Sequence, residues 1–367
     1  MRKFMVLLLV VLMVMSATVA CAPKAADEPA AEKATADEPE AEVAAEESMD
    51  GMKIGISVGD LRLERWQRDL GYMVAEGERL GAEVISTSGD GDDQLQVSQI
   101  ENMLTQGVDI LIIIPGTSSK VLAPIVEAAH VDGVKVIAYD RIIEDCDLDY
   151  YITFDMVEVG RLQTRYLLER VPTGKYYLLN GPKEDNNAQL FRQGQMEVLQ
   201  QHIDSGDVEI VGDQWAPGWS SEEAMKLTEN VLTANNNDVD AILASNDSTA
   251  TGAVQAMIEQ DLAGVIPITG QDASLAACKN IVAGNQTMSV YKSLKNLAEA
   301  AVKMAYDVVQ GNDVETDSTA PNGKIDVPTK LFPVVAVDEG TMMDLVIADG
   351  FHAYEDVYAD IPEDDRP

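Results

Sequence analysis

The chain has 367 residues, of which 63 are Asp or Glu and 26 are Lys or Arg, giving a formal net charge of −37. A surface so acidic repels phosphate, which excludes a nucleic-acid partner, because polynucleotides are held by a basic face. Three cysteines are too few for a disulfide framework, whereas 46% apolar residues suffice for a packed core.

Arg2 and Lys3 precede an apolar run from Phe4 to Met15, and small residues follow up to Cys21. This is the layout of an export signal, and the run is shorter than the roughly 20 residues of a transmembrane helix. Thr18-Val19-Ala20-Cys21 resembles a bacterial lipoprotein processing site, with Cys21 as the lipid-bearing first residue, although the usual Leu three positions earlier is missing. Simple cleavage after Ala20 would instead leave an exported protein with a spare thiol. Residues 22–51 are mostly Ala, Glu, Asp and Pro and cannot bury enough apolar surface to order themselves, so they are expected to be a disordered acidic tether. With Cys21 used for lipid, Cys146 and Cys278 are expected as free thiols, although export would also permit them to pair.

From Met52 onward strands and helices alternate. Strands are expected at Lys53–Val58, Glu83–Thr87, Asp109–Ile114, Val134–Tyr139, Tyr150–Phe154, Lys175–Leu179, Glu209–Gln214, Ala241–Ser245, Ile266–Thr269, Thr287–Tyr291 and Phe332–Val337. Helical patterns between them include Gln94–Gln106, Val121–His130, Glu158–Arg170, Ala188–His202, Glu222–Thr233 and Leu294–Val309. Such alternation means parallel βαβ units, and so many strands exceed one ordinary open sheet. The expectation is an α/β protein of two doubly wound parallel-sheet lobes joined by a three-strand hinge. Residues 52–156 and 292–329 would form the N-terminal lobe, and 157–291 and 330–367 the C-terminal lobe.

Ligands of open α/β sheets bind beyond the carboxyl ends of the strands. There the sequence places Arg65 and Trp66, Asp140 and Arg141, Asp185 and Asn187, Trp219, Asn246, Asp272 and Lys292. Carboxylate, amide, guanidinium and indole groups together suit a sugar. Each hydroxyl gives its proton to a carboxylate and accepts from an Arg, Lys or Asn N–H, while the C–H faces of the ring lie on aromatic rings. Trp66 and Trp219 stand in polar runs, one in each half, and are candidate walls; Trp215, ending an apolar strand, reads as core. Arg192 shares that cleft with Asn187 only if Asn187 precedes its helix, since five residues place the two on different helical faces.

Enzyme chemistry finds less support. His130, His202 and His352 are scattered, there is no Gly-x-Ser-x-Gly elbow and no phosphate loop. No cofactor or metal is expected, and Asp90-Gly91-Asp92-Asp93 reads as a turn with a helix cap rather than a calcium loop. A glycosidase is the best enzyme alternative, because paired carboxylates and Trp suit it too.

The runs Asp60-Leu61-Arg62-Leu63-Glu64-Arg65-Trp66-Gln67, Ala138-Tyr139-Asp140-Arg141, Asp185-Asn186-Asn187-Ala188, Gly212-Asp213-Gln214-Trp215, Ala244-Ser245-Asn246-Asp247 and Gly270-Gln271-Asp272-Ala273 resemble the ribose/galactose-type periplasmic sugar-binding proteins that feed ABC importers, and within them the D-xylose-binding branch. The resemblance runs from Lys53 to about His352. It implies the type I periplasmic binding protein fold and a monosaccharide, D-xylose or another pentose or hexose, held by Arg65, Asp140, Arg141, Asn187, Arg192, Asn246, Asp272 and Lys292 between Trp66 and Trp219, with Asp185 in the same set. A monomer in the periplasm or at the cell surface is expected, tied to the membrane only through the lipid that the processing site would place on Cys21. Its partners would be an ABC permease with its ATPase subunit, and a chemoreceptor is left open. The loop Pro115-Gly116-Thr117-Ser118-Ser119 departs from the family pattern.

Overall fold

The computed structural model describes residues 48–367. The expected export signal, Cys21 and most of the tether lie outside the described residues. The expected end of the tether at residue 51 is corrected. Met49 is 1% exposed and its N–H donates to the Leu80 carbonyl, so the folded body includes it. Met49 and Met52 flank a turn at Asp50-Gly51, and two large apolar side chains are enough to fasten a stretch whose average composition is acidic.

In chain order the elements are β1 (Lys53–Val58), α1 (Glu64–Arg79), β2 (Glu83–Ser88), α2 (Asp93–Thr105), β3 (Ile110–Ile114), α3 (Ala123–Val131), β4 (Lys135–Tyr139) and β5 (Tyr150–Phe154). The chain continues through α4 (Met156–Leu168), β6 (Gly174–Asn180), α5 (Asn186–Ser205), β7 (Val208–Trp215), α6 (Ser221–Ala234), β8 (Ala241–Ala244), α7 (Asp247–Ile258), α8 (Leu275–Val282) and β9 (Ser289–Tyr291). It ends with α9 (Leu294–Gln310), β10 (Ser318–Pro321), β11 (Asp326–Phe332), β12 (Val335–Val337) and α10 (Tyr354–Val357).

The first sheet has seven strands in the order β10-β11-β5-β4-β3-β1-β2, parallel except where β10 meets β11. Alternation along its strands serves two helical layers. Ile110, Ile112 and Ile114 of β3 pack in the same core as α1 and α9, whereas Leu111 and Ile113 face α2 and α3. The second lobe repeats the pattern on β7-β6-β8. Tyr176 and Leu178 pack with Leu167 of α4 and Leu199 of α5, while Tyr177 and Leu179 pack with residues of α6 and α7. Single parallel bridges, Ile242 to Ile268 and Gln271 to Val290, extend this lobe towards β9, which pairs antiparallel with β12.

Two strands differ from expectation. Ile266–Thr269 makes only the bridge at Ile268, since Pro267 has no N–H to donate to a ladder. The strand expected at Phe332–Val337 is broken at Pro333-Val334, so β11 stays with β5 in the first sheet through Phe332, and residues 330–332 belong there rather than to the second lobe. The hairpin strand β10 was not expected, because Ser-Thr-Ala-Pro carries little apolar signal.

Three segments cross between the lobes: Phe154 to Met156, Tyr291 to Leu294 and Phe332 to Val335. Asp155 N–H donates to the Phe332 carbonyl, tying two of them together. Directly after the first crossing, α4 meets α5 backbone to backbone. A Cβ added at Gly160 would stand 2.0 Å from the Phe191 carbonyl oxygen, and one at Gly194 would stand 1.9 Å from that of Val157.

Candidate functional site

The expected site residues, apart from Lys292 and Arg192, line one gap between the lobes.

On the first lobe, β4 ends in Asp140 and Arg141. Asp140 is left-handed, with φ of 60°, a conformation that costs a non-glycine residue about 1–3 kcal/mol and is held here by neighbours. Its carbonyl accepts from the Tyr151 hydroxyl at 2.6 Å and the Thr153 hydroxyl at 3.0 Å. Its carboxylate thereby turns into the gap, with Oδ2 at 2.8 Å from Arg65 Nη2 and Oδ1 accepting from Asn187 Nδ2 at 3.0 Å. Arg65, in the first turn of α1, also pairs with Asp69 at 3.1 Å and with Asp272 at 3.5 Å. Burial alone would raise the Asp140 carboxyl, but Arg65, Lys292 and Arg141 outweigh it and hold the group below the usual carboxylate range.

On the second lobe, Asp185 caps α5 by accepting from Asn187 N–H at 2.9 Å. Its other oxygen receives Trp219 Nε1–H at 2.8 Å and lies 2.8 Å from Arg141 Nη2, so one carboxylate aims both a wall and a cation. Asn246 caps α7 through Oδ1, which accepts Thr249 N–H at 2.9 Å, while the residue lines the gap. Asp272 has φ of 102° and Trp219 φ of 57°, so with Asp140 three left-handed non-glycine residues meet at one place.

The two indoles are buried and line the gap. Trp66 carries the Arg65 guanidinium 4.0 Å above its ring and that of Arg141 at 5.1 Å. Trp219 meets Phe191 edge to face, with centroids 6.1 Å apart, and lies flat on Gly181, where an added Cβ would stand 2.2–2.4 Å from ring atoms. Trp215 is half-buried at the end of β7, with Lys183 Nζ 5.9 Å from its ring centre.

Lys292 stands one bond behind the lining. It is fully buried, with Nζ at 2.9 Å from Asp272 Oδ1 and 3.0 Å from Gln271 Oε1, so it steadies Asp272. Arg192 is a correction. Asn187 lies inside the first turn of α5, which turns Arg192 away to pair with Asp213 of β7 at 2.7 Å. The sequence reasoning also missed Asp69, whose Arg-x-x-x-Asp spacing from Arg65 was the available signal. Asp69 receives the Tyr139 hydroxyl, and burial raises its carboxyl to about 6 despite Arg65.

Arg141 Nε and Asn187 Oδ1 are buried with no hydrogen-bond partner, one a donor and the other an acceptor, which is what a hydroxyl group between them would satisfy. Among the described residues no group of His, Cys, Asp and Glu is arranged to hold a metal. Asp92 caps α2 as expected. Cys146 and Cys278 are buried free thiols in separate cores.

The family described as periplasmic binding protein domain matches residues 54–313. The chain is 50% identical over 301 residues to the D-xylose-binding periplasmic protein of Escherichia coli, covering 82% of this chain and 91% of that one. It is 47% identical over 307 residues to the protein of the same description from Haemophilus influenzae, covering 84% and 92%. An ABC transporter solute-binding protein from Clostridium phytofermentans, solved with β-D-glucose bound, superposes with a TM-score of 0.78 at 31% identity, over 83% of this chain and 99% of that one.

Proposed function

From the premise that this chain belongs to the periplasmic binding protein family and is a sugar-binding component of an ABC transporter, we propose that its ligand is D-xylose. The observation that carries this is the 50% identity to a D-xylose-binding protein together with the convergence of ten of the eleven expected site residues on or directly behind one gap. In this reading Arg65, Asp140, Arg141, Asn187, Asn246 and Asp272 bond the hydroxyls, Trp66 and Trp219 flank the ring, and Asp185 and Lys292 brace the binding groups. Charge-assisted bonds to both faces of the gap make the closed arrangement the one that sugar favours. The protein binds and releases without chemistry, and the closed form is what the permease and its ATPase subunit receive.

A thermal-shift panel of monosaccharides tests this. D-xylose is expected to raise the melting temperature most, since a ligand at a thousand times its dissociation constant adds about 4.1 kcal/mol. No shift with any sugar defeats the sugar site, and a larger shift with glucose or ribose defeats the xylose assignment.

We further propose two lobes, residues 49–156 with 292–332 and 157–291 with 333–367, turning about the three crossings, in a monomer held at the membrane by lipid on Cys21. Mass spectrometry of the mature protein is expected to find acyl chains on Cys21, and an unmodified N-terminus there rules the anchor out.

A further inference from the structure

Away from the sugar gap the two lobes touch a second time. Arg68, on α1, reaches to the C-terminal segment whose helix α10 packs on α8. Its Nη1 donates to the Phe351 carbonyl at 2.6 Å, its Nη2 lies 3.1 Å from His352 Nδ1, and its guanidinium sits 4.7 Å from the centre of the Phe351 ring. Glu64 steadies that guanidinium from one turn earlier at 3.0 Å, and its other oxygen accepts the Leu275 N–H of α8 at 3.4 Å.

The imidazole is constrained from both sides. His352 Nε2 lies 2.7 Å from the Ala273 carbonyl, which can only accept, so Nε2 carries the proton. Nδ1 is then bare and takes the Arg68 N–H, which is possible only while the ring is neutral. Ala273 follows Asp272, and both have positive φ, 48° and 102°. The imidazole therefore also braces the turn that presents Asp272 to the gap.

We propose that Arg68 and His352 form a latch outside the sugar gap that favours the closed arrangement, strengthens sugar binding, and opens when His352 takes up a proton. The proposal rests on the sugar-binding reading above. Apparent affinity scales with the population of the binding-competent form, so a contact made only on closure raises affinity without touching the ligand. Protonation places an N–H on Nδ1 facing the guanidinium, which removes the bond and sets two cations 3.1 Å apart. The groups facing the ring are Arg68 and Glu64 of α1, the Ala273 carbonyl, and Asp356 of α10. Burial lowers the imidazole below its ordinary value and Arg68 lowers it further, against the Ala273 carbonyl, Glu64 and Asp356. When α1 withdraws on opening, Arg68 and Glu64 leave together, and because Arg68 lowers the imidazole more than Glu64 raises it, the ring moves back towards the ordinary range of an imidazole. The open form then binds protons more readily than the closed form. Affinity is accordingly level at the alkaline end and falls as pH drops through the range in which the open form takes up its proton, until the closed form protonates too.

Calorimetric titration of the full protein with D-xylose between pH 5 and pH 8 tests the latch. Arg68→Met is expected to weaken binding about five- to tenfold at pH 7.5, and Arg68→Lys, which cannot bridge Phe351 and His352 together, to fall between it and the wild type. His352→Gln offers the same donor and acceptor without titrating. It should bind within about twofold of wild type at pH 7.5 and lose at least about fivefold less affinity than wild type between pH 7 and pH 5. Ligand-free melting curves confirm which variants are folded. If the wild type binds no sugar, the functional reading fails. If it binds sugar but Arg68→Met and Arg68→Lys bind as tightly, or His352→Gln falls with pH as steeply as wild type, the latch is overturned.

Discussion

Replacing Arg65 by Met is expected to abolish detectable sugar binding and to lower the free energy of unfolding by about 3–5 kcal/mol, the usual result of stripping a buried charge cluster of its partner. Arg65 is the cation shared by Asp69, Asp140 and Asp272, all of them buried. Methionine fills much of the volume but leaves these carboxylates with Lys292 and Arg141 as the remaining cations of the site. The sign of the pH dependence follows. In the wild type the depressed Asp140 carboxyl adds stability above the unfolded value of about 3.9, and this is lost only as pH falls through the lower folded value. In the variant Asp69 and Asp140 lose the charge that favoured their ionised forms, so they protonate earlier and the deficit shrinks as pH falls from 8 to 5. Urea unfolding at several pH values and calorimetry measure both parts. Binding retained within tenfold of wild type would remove Arg65 from the centre of the site.

Trp219→Ala should weaken sugar binding by at least about a hundredfold, roughly 2.7 kcal/mol. The substitution deletes a wall of the gap and the N–H that Asp185 receives, and it leaves Asp185 to aim Arg141 alone. Gly181→Ala provides the companion measurement. It removes nothing from the gap, yet its methyl group would occupy the plane on which the Trp219 ring lies, so a loss of about tenfold is expected from displacement of the ring. In the Trp219→Ala background the same Gly181→Ala change should cost little, since the clash is gone. Additive losses in the double variant would show that Gly181 acts elsewhere.

The central parallel strands and the polar residues that meet at one gap were legible in the sequence because two strong signals coincide: continuous β-branched runs such as Ile110–Ile114, and polar residues where those runs stop. The Arg192 expectation depended on where α5 begins. Both Asp185 and Asn187 are good caps, and only the observed cap at Asp185 decides the direction of the side chain five residues later. Asp69 stayed hidden for another reason. Its role is to hold Arg65 rather than ligand, and a carboxylate in the middle of an amphipathic helix looks solvated until the strand beneath it, with Tyr139, is in place. Met49 shows the limit of composition, since two apolar side chains settle where the folded body begins.

The missing side chains at Gly160 and Gly194 bear on how motion travels. Where α4 and α5 meet through bare main chain, no rotamer can flex to absorb a rotation, so the two rods move as one crowbar. In the proposed hinge its fulcrum would be Asp155, the cap of α4, and its far end the start of α5, where Asp185 and Asn187 stand. Any twist at that fulcrum would then be delivered undiminished to the tip proposed to grip the sugar.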